Sequence, residues 1–238
     1  MLRTGSRYTI GKVTHVFPHL QLKGNYTYTA KDERQHLALL QMLHDFDTIA
    51  DTHSIDYTIC GCTLLGAMRH DGFVPWDSNA NCDVPVEQVL QLEQSYHRHQ
   101  QYTLQKTEYG YKISHHKTLF PFIDIFLTEF SVDQQKYQYV HKSTRDQYPA
   151  YRNSYSDIHP RRGYVFEDLT LWGPCNGLAL CQRIYGEDCL QVAQVTCNGR
   201  GTGELCDNVV KFFQRIFHPH TPTTVCPPCV TNNPKKRS

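Results

Sequence analysis

The chain has 238 residues, with 24 Lys and Arg against 23 Asp and Glu, 20% charged residues and 39% hydrophobic ones. That length and balance allow one large buried core and exclude a chain disordered by composition. A formal net charge of +1 predicts no nucleic-acid or anionic-membrane footprint, the terminal "PKKRS" being a small basic patch on a solvated tail.

The N-terminal "MLRTGSRYTIGKVTHVF" lacks the apolar stretch of a signal peptide, and no run of about 18 apolar residues is present to span a membrane. The expectation is a soluble protein, cytoplasmic by default. Residues 1–24 read as an N-terminal extension. Over Ala30 to His53, Leu39, Leu43, Phe46 and Ala50 recur at helical spacing, with Thr29 and Asp32 placed as an N-terminal cap. "IDYTIC" then reads as a strand, "TLLGAMRH" as a short helix and Asp71-Gly72 as a turn. Past Pro75 the chain runs extended into "NCDVPV", followed by a helix in "EQVLQLEQSYHRH" through Val89, Leu92 and Tyr96.

"YGYKIS", "FIDIFLTEF" and "KYQYV" follow as strands. Ser143 to Arg162 reads as a long loop, rich in Tyr, Ser, Asp, Arg and Pro. "YVFEDLTLW" reads as a strand or tight hairpin, and "NGLALCQRIYG" and "GELCDNVVKFFQRIF" as helices. Residues 218–238 form a Pro- and Thr-rich, basic tail. The sum is an α+β domain over about residues 25–217, a mixed sheet covered by helices.

Two features point to chemistry. The strand, turn and helix at "YTICGCTLLGAMRH" set backbone amides at a helix N-terminus, with Thr63 and Arg69 nearby, a geometry that suits a phosphate. Downstream lie Asp77, Asp83 and, between Ile123 and Ile125, Asp124. A carboxylate leaving an apolar strand needs a compensating partner, either a hydrogen-bond donor or a hard cation such as Mg²⁺.

"GCTLLGAMRHDGFVPWD" resembles the signature of the LicD/fukutin family of nucleotidyltransferase-fold proteins. "FIDIF" is similar to that family's second acidic strand, and "YVFEDLTLWGPCNGLALCQRIYGED" to its closing block, so the likeness covers roughly residues 35–190 in the right order. The resemblance implies a nucleotidyltransferase-like fold and transfer of a phosphorylated alcohol, such as phosphocholine or ribitol phosphate, from a cytidine-diphosphate-linked donor to a glycan. It also implies Mg²⁺ or Mn²⁺ held by Asp77 and Asp124, with donor phosphate at Gly61, Thr63 and Arg69 and catalytic work on Asp77 and Asp124.

The departures bear on activity. Where the family carries a run of aspartates, this chain has Ser78, Asn79, Ala80 and Asn81. Asn keeps the shape of the loop and removes charge, so the expected metal site is weak. Three functions therefore stand open: a transferase with a weakened metal site, a degenerate donor- or glycan-binding module, and a zinc-stapled interaction protein. The last rests on ten cysteines and "CPPC" at 226–229, half the spacing of a zinc site.

Overall fold

The structure is a computed structural model that describes residues 1–195. Three N-terminal strands, β1 (Arg7–Ile10), β2 (Val13–Val16) and β3 (Gln21–Lys23), precede the long helix α1 (Ala30–Thr52). β4 (Thr58–Ile59) leads into α2 (Gly61–His70), and β5 (Asn79–Pro85) into a short 3₁₀ turn and α3 (Val89–Tyr96). Four strands follow, β6 (Tyr102–Lys106), β7 (Gly110–His115), β8 (Thr118–Ser131) and β9 (Lys136–Tyr139). Next come α4 (Lys142–Gln147), β10 (Asn153–Ser154), α5 (Tyr155–Ile158), the hairpin β11 (Arg162–Phe166) and β12 (Leu169–Gly173), α6 (Gly177–Tyr185) and β13 (Val192–Gln194).

The organising unit is a seven-stranded mixed sheet built on β8. β5 runs parallel to β8, while β7 pairs antiparallel with its first part and β9 with its last. β4 and β10 lie on the two ends of this path, and β6 extends the sheet beyond β7. Ile123 and Ile125 of β8 and Ala80, Cys82 and Val84 of β5 are sealed in the core. α1 lays Leu39, Met42, Leu43, Phe46 and Ala50 on that layer, the stripe its sequence period demands. Thr29 and Asp32 close its N-terminus as a capping box. The fold is α+β, as the sequence indicates.

Two regions differ from the sequence reading. Residues set apart as an N-terminal extension form the β1–β2 hairpin and β3, and Tyr8, Ile10, Phe17 and Leu20 join the main core. The stretch 143–162, expected as one loop, carries α4, β10 and α5, the last closed by a Ser154–Asp157 capping box. The helix expected in 203–217, and the tail with Cys226 and Cys229, lie outside the described residues.

Candidate functional site

The site forms where α2 begins and where β5 and β8 run side by side. Parallel pairing places Asn81 opposite Asp124 and Asn79 opposite Phe122. Side chains alternate along a strand, so Asn79 and Asn81 share one face of β5 and Asp124 meets them on the same face of β8. Gly61, at φ +53°, makes the turn into α2 that few other residues tolerate, and an added Cβ would already touch the Asn81 side chain. Cys60 offers no side-chain cap to the helix. The first amides of α2 therefore point into this corner without a side-chain acceptor from the cap.

Asp124 is 3% exposed. Its Oδ1 accepts the Tyr109 hydroxyl at 2.5 Å and its Oδ2 the Asn79 amide nitrogen at 3.1 Å. The same Asn79 nitrogen donates to Asn81 Oδ1 at 3.1 Å, so one carboxamide closes the group. Burial pushes the Asp124 carboxyl up to about 6, against the Tyr109 hydroxyl, the Lys112 ammonium and the Asn79 amide, which favour its ionised form. Lys112 sits opposite Asp124 in the β7–β8 register. Tyr109 and Lys112 were not singled out from sequence; the signal available was a Lys in the apolar strand "YGYKIS".

The other predicted site residues divide. Thr63 is buried, and its Oγ1 accepts the Asn81 backbone N–H at 2.8 Å, locking α2 to β5. Asp77 accepts the Ser78 N–H at 2.9 Å, and its carbonyl accepts His36 Nε2–H at 2.8 Å. Burial holds the His36 imidazole down, which leaves it a neutral donor. Phe73 stacks on that imidazole at 4.7 Å and Trp76 packs against Phe17, Tyr26 and His70, so both aromatics shape the loop.

Arg69 lies eight residues after Gly61, and its guanidinium donates to the carbonyls of Cys189 and Val192. These bonds tie the last turn of α2 to the chain after α6, while its charge is felt by the Cys62 thiol in the first turn of the same helix.

Asp83, two residues past Asn81, is buried beyond the site and accepts the Tyr151 hydroxyl at 2.5 Å. Burial pushes its carboxyl up to about 7, against the Tyr151 and Cys60 donors. Among the cysteines invoked for zinc, neither Cys60 nor Cys62 is in a disulfide, and Cys62 Sγ accepts the Tyr185 hydroxyl at 3.4 Å. Among the described residues no three His, Cys, Asp or Glu side chains are grouped to hold a metal ion, and no helix is long and apolar enough to cross a membrane.

The stretch that carries this strand pair, the helix start and the "GFVPWD" loop falls within the part of the chain that known proteins resemble. The profile of the LicD/FKTN/FKRP nucleotidyltransferase domain covers residues 54–176. The chain belongs to this family. An uncharacterized protein of Rickettsia typhi is 28% identical over 155 residues, 65% of this chain and 48% of its own length. A Rickettsia prowazekii relative is 29% identical over 153 residues, 63% of this chain and 55% of its own. The chain thus spans about half the length of these two relatives. The lipopolysaccharide cholinephosphotransferase LicD of Haemophilus influenzae is 42% identical over 45 residues, 19% of this chain and 17% of that protein. Among solved structures, the antibiotic-resistance factor ANT(2'')-Ia aligns at a TM-score of 0.43 and 10% identity over 65% of this chain and 82% of that one.

Proposed function

We propose that this LicD-family domain keeps a pocket for a phosphorylated, cytidine-diphosphate-linked donor and has exchanged the family's catalytic cation for a hydrogen-bonded carboxamide. It then binds a donor, or its glycan acceptor, far better than it transfers the phosphorylated alcohol. The observation that carries this reading is Asn79 Nδ2, 3.1 Å from both Asn81 Oδ1 and Asp124 Oδ2. An N–H pointing at a carboxylate supplies the positive end that a cation would otherwise supply.

A divalent ion does not fit this donor set. Mg²⁺ demands oxygen ligands at about 2.0–2.1 Å in near-octahedral array, and the amide nitrogen facing Asp124 is no ligand. Turning the carboxamide over would set its oxygen beside the carboxylate, an arrangement that needs an ion between the two to be stable, whereas the hydrogen-bonded arrangement needs none. Asp77, the remaining acid of the loop, binds the Ser78 amide. Phosphate affinity instead rests on the uncapped α2 amides and the positive end of its dipole, supported by Lys112 across the sheet.

Calorimetric titration tests this. The parent chain should bind a cytidine-diphosphate-linked donor with an affinity that Mg²⁺ or Mn²⁺ leaves unchanged within about twofold, while Asn79→Asp with Asn81→Asp should bind the ion at least about tenfold more tightly. Without metal that variant should lose about 1–2 kcal/mol of stability, because it trades a donor for carboxylates beside Asp124. Shape alone predicts a neutral exchange; the Asn79 hydrogen bond argues for a cost. Tight ion binding and equal turnover in both proteins would overturn the reading.

A further inference from the structure

The turn between β7 and β8 carries a feature that the site does not use. β5 begins to pair with β8 only at Phe122, so Leu119 and Phe120 project beyond the shared sheet, 73% and 38% exposed. They stand beside His116 and Lys117 of the turn itself. His116 N–H donates to the Gln101 carbonyl at 3.1 Å and His116 Nε2 lies 2.6 Å from the His99 carbonyl. These contacts bring the turn at 97–101, with His97 and Arg98 exposed, next to the tip. Neither segment, 97–101 nor 115–120, contains an Asp or Glu. Asp45, the acid that reaches this corner from α1, is occupied by the Tyr102 hydroxyl and the Gln41 amide.

We infer that this corner is a docking surface for an anionic lipid membrane. An apolar tip two residues long stands beside exposed Lys117 and His116 and next to the turn that carries exposed Arg98 and His97. It has the composition that interfacial insertion requires, apolar groups to enter the acyl boundary and cations to meet lipid phosphates. The net charge of the whole chain conceals it, since the acids that balance these cations lie elsewhere. The Phe120 and Phe122 rings meet at 6.0 Å, Lys112 Nζ lies 3.9 Å from the Phe122 ring centre, and Lys112 stands opposite Asp124 in the β7–β8 register. These contacts connect the tip to the corner that holds Asp124, and docking sets that corner toward the lipid surface.

Co-sedimentation of the full chain with vesicles tests this, using pure phosphatidylcholine and phosphatidylcholine carrying phosphatidylserine at about 30 mol%. The parent should bind the anionic vesicles at least about tenfold more tightly than the neutral ones. Leu119→Ser with Phe120→Ser should lose about tenfold or more, and Arg98→Ala with Lys117→Ala about 25-fold, from about fivefold per cation. All four positions are exposed, so thermal melting should match the parent. Replacing Lys235, Lys236 and Arg237 by Ala should change binding less than about twofold. No preference for the anionic vesicles, or a tail variant that loses binding while both tip variants keep it, would overturn the assignment.

Discussion

Glu167 and Asp124 are both buried acids, and they are held in opposite ways. Glu167 meets an imidazole: its Oε2 lies 2.6 Å from His15 Nε2, while Oε1 accepts the Phe73 N–H at 3.0 Å. Burial lowers the His15 imidazole, but the hydrogen bond and charge of Glu167 outweigh it and the net displacement is upward. This pair ties the N-terminal hairpin to the "GFVPWD" loop, and Gly72 is bare there because a Cβ would collide with the Glu167 carboxylate. Asp124 meets an amide and a phenol, with a lysine farther off. Glu167 is bonded to a ring whose charged form it favours; Asp124 is bonded only to neutral donors, so much of its charge is left for a ligand to answer.

Breaking the paired acid should have the largest effect. Glu167→Ala strands His15 and the Phe73 amide and should cost about 3–5 kcal/mol in urea denaturation, with Glu167→Gln costing less because it still accepts from Phe73. A loss under about 1 kcal/mol would show that the hairpin is held by apolar contacts alone.

Asp83 sharpens the same contrast through pH. Its folded-state value, about 7, stands above the unfolded 3.8, so the folded protein binds the extra proton. That contribution is fully present below about pH 4 and is lost as pH rises through about 7, an amount of at most about 4 kcal/mol. His15, also raised, loses its contribution in the same direction above its own ordinary range. Asp83→Asn should flatten the stability profile between about pH 4 and 7, as followed by denaturant midpoints, and leave the slope from His15 at higher pH. An unchanged profile would mean that Asp83 reaches water or a cation.

Much of this was legible in the sequence, and the pattern of success is physical. Long periodic segments such as α1 and β8 declare themselves, because one buried face imposes a period on many residues. The meeting of Asn79, Asn81 and Asp124 was readable from motif order. What escaped was set by partners distant in sequence: Tyr109 reaching Asp124, His15 reaching Glu167 across 152 positions, and Arg69 turning to the chain after α6. The β1–β2 hairpin was missed although Tyr8, Ile10, Val13 and His15 alternate about Gly11-Lys12, a signal that short strands dilute.

The smallest expected effect tests whether the site acid truly lacks a cation. Tyr109→Phe removes the hydroxyl that donates to Asp124 Oδ1 and leaves the ring packed against Phe126. The lost bond favours the ionised carboxylate, so the Asp124 value should rise above about 6 and the cost should depend on pH. At pH 8, where the carboxylate is charged, the variant should lose about 1.5–3 kcal/mol, the range of a hydrogen bond to a charged group. At pH 5 it should lose under about half of that, since a protonated Asp124 depends less on an outside donor. Thermal melts at the two pH values decide it. An equal loss at both would mean that Lys112 already holds the acid ionised throughout, and the distinction between Asp124 and Glu167 would collapse into one of distance to the cation.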